Sequence, residues 1–184
     1  MKHPITALIV ILLASPAVAD RLDAKFYGSY VGSGVAENLE ENITELRDLN
    51  VIIEPYKNDG FRLKWITVVH NPAGRRTSEG AKHREVKENF LPVENRENVY
   101  VLAPRGGTFK KAELPNPLLG GPALWATVEE DAISVYSIAI DDTGATELQI
   151  YRRDWTEEGL DMSFLRMLNE KVLVRMTGKL VKTK

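Results

Sequence analysis

The amino-acid sequence predicts an all-β protein, a single antiparallel meander of about eight to ten strands that closes into a barrel. One observation behind this prediction is a series of short segments that alternate between apolar and polar residues or are rich in β-branched and aromatic residues. The other is that short turn sequences, such as Asn58–Gly60 and Asp142–Gly144, separate them and can join antiparallel neighbours. Closing the meander into a barrel removes exposed sheet edges.

Ten segments carry this strand pattern. In chain order they are Phe26–Ala36, Leu46–Tyr56, Phe61–His70, Glu85–Leu91, Val99–Ala103, Leu124–Glu129, Ile133–Ile140, Thr146–Trp155, Leu160–Leu168 and Val172–Val181. In the second half of the chain, acidic or glycine-containing turns mark the boundaries, as at Glu129–Asp131, Glu157–Gly159 and Asn169–Lys171. A helix over Asn38–Leu46 is the alternative before the second strand, because ENLEENITEL combines good helix formers with apolar spacing.

Residues 1–19 have the pattern of a cleaved signal peptide. Lys2 and His3 form a short basic start, an apolar run follows, and Ala17–Ala19 fits the small-x-small cleavage rule. A transmembrane anchor is the alternative, but an apolar run of about 15 residues is short of the roughly 20 that span a bilayer. We therefore expect residues 20–184 to form a single barrel domain, soluble in the periplasm, with no integral membrane segment after cleavage.

Composition narrows the classes of partner. The formal net charge of −2 argues against a nucleic-acid partner and against strong attraction to anionic lipid. The chain has no cysteine, and hence no disulfide framework, no cysteine-ligated metal and no acceptor for a lipoprotein anchor. The absence of disulfides in an exported protein is compatible with a bacterial periplasm. We also expect the protein to carry no cofactor.

The stretch FYGSYVGSG, Phe26–Gly34, is predicted to be the first strand. A phosphate-binding loop needs glycines just before a helix, and neither a clear helix start nor a Gly-Lys-Ser/Thr sequence follows. Read as a strand, the stretch divides by a period of two, and one face carries Phe26, Gly28, Tyr30, Gly32 and Gly34. Glycines on one face let a strand bend and let another chain approach closely, as a tightly coiled barrel requires.

Gly28-Ser29-Tyr30 resembles the Gly-x-Trp signature that opens lipocalin-type barrels, with tyrosine in place of tryptophan. The wider Gly-x-Tyr-x-Gly-x-Gly pattern is similar to the first strand of other calycin-like barrels, including the haem-binding nitrobindins. The resemblance implies a lipocalin-like barrel in which Tyr30 packs beneath an arginine of the last strand, a part that Arg175 could play. The nitrobindin-type haem needs a histidine near the C-terminus, and none is present.

The eighth strand, TELQIYRRDW, is the most polar and aromatic of the set. Glu147, Gln149, Tyr151 and Arg153 share one face, while Leu148, Ile150 and Arg152 share the other. If the first face points inward, the barrel holds a hydrogen-bonding row with both charge signs that could orient a small polar or amphipathic ligand. If Leu148 and Ile150 point inward, the polar row is a solvated outer face.

Aromatic residues supply the apolar part of the candidate site. With the polar row, the predicted ligand-binding set is Trp65, Tyr136, Glu147, Gln149, Tyr151, Arg153 and Phe164. Trp125 and Trp155 could grip an apolar ligand at a barrel mouth or belong to the core, where most buried aromatics lie. The long segment Pro104–Pro122 contains Phe109, Leu114, Leu118 and Leu119, which favours an ordered flap that gates the barrel.

The sequence offers little for catalysis or metal binding. It has no Gly-x-Ser-x-Gly elbow, and its paired acids lie at turns, so we expect no catalytic residues and no enzyme. His70, His83 and Glu85 could hold zinc if their hairpin brought them together, but two exposed strand-end histidines are the simpler interpretation. We expect no metal.

Together these patterns predict a soluble periplasmic, lipocalin-like protein that binds a small apolar or amphipathic ligand. The alternative is a non-catalytic structural or interaction protein of the cell envelope, with a barrel filled by side chains and a protein partner that the sequence does not name. A small outer-membrane barrel has a similar strand count, but charges such as Arg62, Lys64 and Arg152 interrupt the outer faces that lipid would require to be apolar.

Overall fold

The structure, a computed structural model, describes residues 22–57, 59–70, 82–104 and 112–183. Ten strands make up most of this part of the chain. They are β1 (Gly28–Asn38), β2 (Ile43–Tyr56), β3 (Gly60–Val69), β4 (Lys82–Pro92), β5 (Val99–Leu102), β6 (Ala123–Val128), β7 (Ala132–Ile140), β8 (Thr146–Trp155), β9 (Gly159–Leu168) and β10 (Lys171–Lys182). The predicted signal peptide, residues 1–19, lies outside the described residues.

Every strand pairs antiparallel with its neighbours in the sequence, and β10 returns to pair with β1, which closes the barrel. The predicted fold class, an all-β antiparallel meander barrel, is confirmed. β1 is the seam of closure: Gly34 lies opposite Arg47 of β2 on one side and opposite Gly178 of β10 on the other. This arrangement leaves neither β1 nor β10 with a free edge along the paired residues.

The glycine face of β1 is the face that turns inward. A Cβ added to Gly32 would collide with the carbonyl oxygen of Lys179, so the backbones of β1 and β10 approach more closely than any side chain permits. Gly34 and Gly178 face each other, and the Leu49 side chain packs over both. The small residues of the opening stretch therefore allow the tight curvature predicted for it.

One end of the barrel, where β1 begins and β2 ends, is filled by side chains; we call it the plugged end. A short 3-10 turn, Ala24–Phe26, seats Phe26 there, and the Tyr30 hydroxyl donates to the Phe26 carbonyl oxygen at 2.8 Å. Phe61 stacks on Phe90 at 5.1 Å between ring centroids and meets Tyr100 edge-on at 5.2 Å. These buried rings close the plugged end to solvent.

The cation that packs on Tyr30 is Lys182 and not Arg175. The register places Arg175 opposite Glu37, and the Arg175 guanidinium donates a hydrogen bond to the Glu37 carboxylate at 2.5 Å. Tyr30 lies opposite Lys182, and the Lys182 ammonium sits 5.6 Å from the Tyr30 ring centroid. The suggested role of Arg175 is therefore wrong, because seven positions of strand register separate Glu37 from Tyr30.

The alternative of a helix over Asn38–Leu46 is also wrong. β1 runs to Asn38 and β2 begins at Ile43, with a tight turn between them. The Asn38 side-chain oxygen accepts from the backbone N–H groups of Glu40 and Glu41, and Asn42 has a φ of 53°. Asparagine favours such turns and tolerates positive φ, so local turn chemistry prevails over helix propensity here.

Candidate ligand-binding cavity

A cavity of about 530 Å³ occupies the barrel above the plugged end. It extends towards the end where β1 ends and β2 begins, which we call the cavity end. Its lining is contributed by Arg47, Leu49, Asn50, Val51, Trp65, Ile66, Thr67, Val69, Arg84, Glu147, Gln149, Tyr151, Arg153, Met162, Phe164, Arg166, Val174 and Met176. Six of the seven residues predicted to bind a ligand are in this set, and Tyr136 is the exception.

The polar face of β8 turns inward, so the first of the two alternatives for this strand is the observed one. Tyr151 lies opposite Val135 of β7 and Phe164 of β9, both of which face the interior. Arg152 on the other face pairs outside the barrel with Glu129 and Asp154, at 3.0 and 2.8 Å.

Three side chains of β8 form a connected hydrogen-bonded row along the cavity wall. The Arg166 guanidinium donates to Glu147 at 2.6 Å, the Gln149 amide donates to the other Glu147 oxygen at 2.5 Å, and the Tyr151 hydroxyl donates to the Gln149 oxygen at 2.5 Å. The bond from Arg166 lowers the pKa of the Glu147 carboxyl, while burial raises the pKa of the Tyr151 phenol. At neutral pH, Glu147 is therefore ionised and Tyr151 is a neutral hydroxyl.

Arg153 lies at the inner end of this row and is 0% exposed. Its guanidinium carbon sits 5.4 Å from the Trp65 ring centroid, and Nη1 donates a long bond of 3.5 Å to the Tyr151 carbonyl oxygen. Nε and Nη2 have no hydrogen-bond partner among the described residues. Burial lowers the pKa of Arg153 to about 10, so the side chain is still a cation at neutral pH.

Apolar side chains complete the cavity wall. Tyr151 links two aromatic contacts, with Trp65 at 5.7 Å and with Phe164 at 4.6 Å between ring centroids. Leu49 and Val51 of β2 and the thioether side chains of β9 and β10 supply aliphatic surface. The cavity thus combines a hydrogen-bonding row with an apolar wall, an arrangement that suits an amphipathic molecule.

Tyr136 was predicted to line the site and does not. It lies opposite Ile150, on the outer face of the barrel, and stacks on Trp125 at 5.1 Å between ring centroids. Trp125 is therefore on the outer wall rather than at a ligand mouth. Trp155 packs against the buried core beneath the Lys25 ammonium, 5.1 Å from its ring centroid. Strand period decides these positions, because Val135 takes the inward place next to Tyr136.

Arginines on neighbouring strands are the site residues that the sequence analysis missed. Arg47, Arg84 and Arg166 line the cavity. Arg47 donates to Glu45 at 2.7 Å and Arg166 to Glu147. A period-two count from Met162 through Phe164 reaches Arg166 on the same face of β9, so that signal was present in the sequence.

The predicted flap is only partly within the described residues, since 105–111, including Phe109, are outside them. The described portion contains a 3-10 turn, Pro117–Leu119, that lies beside β7. Leu118 and Leu119 are 75% and 83% exposed, and the described cavity lining includes no residue of 112–122. In this described portion, the apolar residues do not cover the cavity.

The two histidines at the cavity end lie in different environments. His70 is buried, and its Nε2 lies 2.8 Å from an Asp48 carboxylate oxygen, whereas His83 is exposed. Within residues 22–57, 59–70, 82–104 and 112–183, no group of three or more His, Cys, Asp or Glu side chains is placed to hold a metal ion. In the same ranges, no helix has the length and apolar character needed to cross a membrane.

Comparison with known proteins returns one structural likeness. No protein-family model and no curated relative matches the chain. The S-type phycobiliprotein lyase from Guillardia theta matches with a TM-score of 0.40 and 11% identity, over 87% of this chain and 89% of that one. This likeness assigns no ligand and no reaction to the chain. The expectation that this chain is not an enzyme is contradicted by this neighbour, which is named a lyase, and is not retained.

Proposed function

We propose that the protein is a periplasmic binding protein whose barrel holds a small amphipathic ligand. The observation that carries this proposal is the cavity of about 530 Å³, which falls within the range of about 300–1,000 Å³ typical of small-molecule sites. The Glu147–Gln149–Tyr151 row gives the ligand hydrogen-bonding partners on one side. The aromatic and aliphatic wall gives it apolar contact on the other.

The rival hypothesis, a barrel filled by side chains, describes the plugged end well. At that end Phe26, Tyr30 and Phe61 are 0% exposed and leave no room for a ligand. The cavity end is different, because the inward side chains of β8 bond to one another along the wall instead of meeting across the interior. Ligand binding is thus proposed for the cavity end alone.

The proposed compartment rests on the leader pattern of residues 1–19. Cleavage after Ala19 would give a mature chain that begins at Asp20. Edman sequencing of the protein recovered from an osmotic-shock fraction tests this directly. An Asp20 N-terminus in that fraction supports export, whereas an intact leader on protein retained in the membrane or cytoplasm contradicts it.

Native mass spectrometry of the protein purified from its own host tests the binding function. We expect a discrete additional mass that is lost on denaturation. Val69 lines the cavity and its neighbour Val68 is on the opposite face of β3, so the two positions form a matched pair. Val69→Trp should fill the cavity and remove the additional mass, while Val68→Trp should retain it. Retention by both variants would place the ligand outside the barrel.

A further inference from the structure

Arg153 is a buried cation for which the described residues provide no anion. Its side chain is 0% exposed and makes no ion pair within the described part of the chain. Within the described residues, its one hydrogen bond is the 3.5 Å contact to the Tyr151 carbonyl oxygen. A buried charge is normally paired or bonded at every donor, because removing it from water is costly. This guanidinium therefore lacks a partner that its surroundings would favour.

The two free donors of Arg153 are arranged for one particular kind of partner. Nε and Nη2, the unpartnered nitrogens, share one edge of the planar guanidinium. That edge presents two parallel N–H groups at the spacing of the two oxygens of a carboxylate. Arg153 borders the cavity, and its nitrogens are buried, so a carboxylate would reach this edge after a small shift of the side chains between them.

The other three arginines of the cavity are either paired with a carboxylate or exposed. Arg166 is neutralised by Glu147 at 2.6 Å, and Arg47 by Glu45 at 2.7 Å. Arg84 is exposed, where solvent screens it. Among the described residues, Arg153 is thus the buried cavity arginine without a carboxylate partner, and its single positive charge matches a ligand with one negative charge.

The depth of Arg153 fixes the orientation of such a ligand. Arg153 lies opposite Ile133 and Met162. It is the next inward-facing residue of β8 after Tyr151, on the side of the plugged end. A head group bound there would have Trp65 and Phe164 above it, with the aliphatic side chains of β2 and β10 alongside. The apolar body of the molecule would then run towards the cavity end.

We propose that the ligand is a monocarboxylate amphiphile, bound with its carboxylate on the Nε and Nη2 edge of Arg153 and its apolar chain towards the cavity end. This inference rests on the proposed binding function and names the chemical class of its ligand. Tyr151 is the neighbouring inward-facing residue of β8, and its hydroxyl already donates a hydrogen bond to Gln149. Arg153 is accordingly the residue that selects charge.

Calorimetric titration with a pair of matched amphiphiles tests the proposal. Decanoate and 1-decanol share an apolar chain and differ in the charge of the head group. For wild-type protein at about pH 7, we expect decanoate to bind about tenfold or more tightly than 1-decanol, since two bonds to a charged donor form only with the carboxylate. Decyl phosphate carries more negative charge than one guanidinium can neutralise, so it should bind more weakly than decanoate.

Variants separate the role of Arg153 from a purely structural one. Arg153→Met should lose about tenfold or more in decanoate affinity and retain that for 1-decanol. Arg153→Lys keeps the positive charge but lacks the edge with two N–H donors, so it should lose part of the preference for decanoate over 1-decanol. This variant provides an independent test if the methionine variant does not fold. Arg152→Met, on the outer face of the same strand, is the matched control and should bind both compounds as wild type does.

The outcomes distinguish this inference from the function on which it rests. Equal affinity of wild type for decanoate and 1-decanol, or an unchanged preference in Arg153→Met, overturns the carboxylate assignment while leaving the barrel as a binding site. Tighter binding of decyl phosphate replaces the carboxylate with a phosphate head group. Binding of none of the three amphiphiles by wild type contradicts the proposed function itself.

Discussion

Replacing Arg153 by methionine should make the ligand-free barrel more stable. Burial lowers the pKa of this guanidinium from its ordinary value to about 10. Since each pKa unit corresponds to about 1.4 kcal/mol, holding the charge in the interior costs on the order of 3 kcal/mol. Methionine nearly matches the length of the side chain without the charge, so the variant is relieved of that cost.

Part of this gain is offset by contacts that the variant loses. The contact of the guanidinium with the Trp65 ring is worth about 1–2 kcal/mol in a desolvated setting, and the long bond to the Tyr151 carbonyl adds little. The net expectation is an increase of about 1–2 kcal/mol in the free energy of unfolding. For a chain of this length, that corresponds to a rise in Tm of roughly 2–8 °C.

Urea unfolding of the mature protein, refolded to remove any bound ligand and followed by circular dichroism, measures this change. Arg152→Met serves as the control, because exposed ion pairs contribute about 0–1 kcal/mol. A loss of stability of about 1 kcal/mol or more in Arg153→Met would refute the reasoning. It would mean that the protein itself stabilises the Arg153 charge.

Two other predictions concern the barrel wall. Gly32→Ala should lower the free energy of unfolding by about 2 kcal/mol, because the new Cβ would collide with the Lys179 carbonyl oxygen. Thermal unfolding measures the loss, with the outward-facing Ser33→Ala as the control. Equal Tm values for the two variants would contradict the prediction. Arg166 lowers the pKa of Glu147 in the folded protein below the ordinary carboxyl value of 4.5. The pair therefore stabilises the fold fully at pH values above 4.5, and this stabilisation is lost as the pH falls through the pKa of the folded state. Glu147→Gln should therefore flatten the acid limb of a stability–pH profile, and an unchanged limb would count against the pair.

The strand order and class could be predicted from the sequence because turn chemistry and strand period are local properties. Both limits of β8 agree with the predicted Thr146–Trp155. β2, in contrast, begins three residues before the predicted Leu46, since Ile43–Glu45 pair with β1 although their sequence also suits a helix. Pairing with a neighbouring strand decides such ends, and one segment read alone does not contain that information.

Which face of β8 points inward could not be predicted, because a period of two defines two faces without ranking them. Leu148 and Ile150 resemble core residues, yet the opposite face is the one aligned with Val135 and Phe164. Closure of the barrel fixes this choice through the registers of β7 and β9. Tyr136 was misplaced for the same reason, since its strand has two faces with similar apolar content.

The position of Arg153 on β8 made it a candidate site residue, but the sequence could not show that its Nε and Nη2 have no partner in the described part of the chain. Pairing of charges depends on side chains brought together from distant parts of the chain. Glu147 and Arg166 meet across β8 and β9, while Arg153 lies opposite Ile133 and Met162, which have no charge to offer.

The central claim, that an amphiphile enters the barrel, is tested most directly by NMR of the methionine methyl groups. Met162 and Met176 line the cavity, whereas Met167 lies on the outer face opposite Leu148 and serves as a reference in the same spectrum. Addition of decanoate should shift the Met162 and Met176 signals and leave that of Met167 in place. Unchanged Met162 and Met176 signals at saturating decanoate, or a shift confined to Met167, would contradict the account.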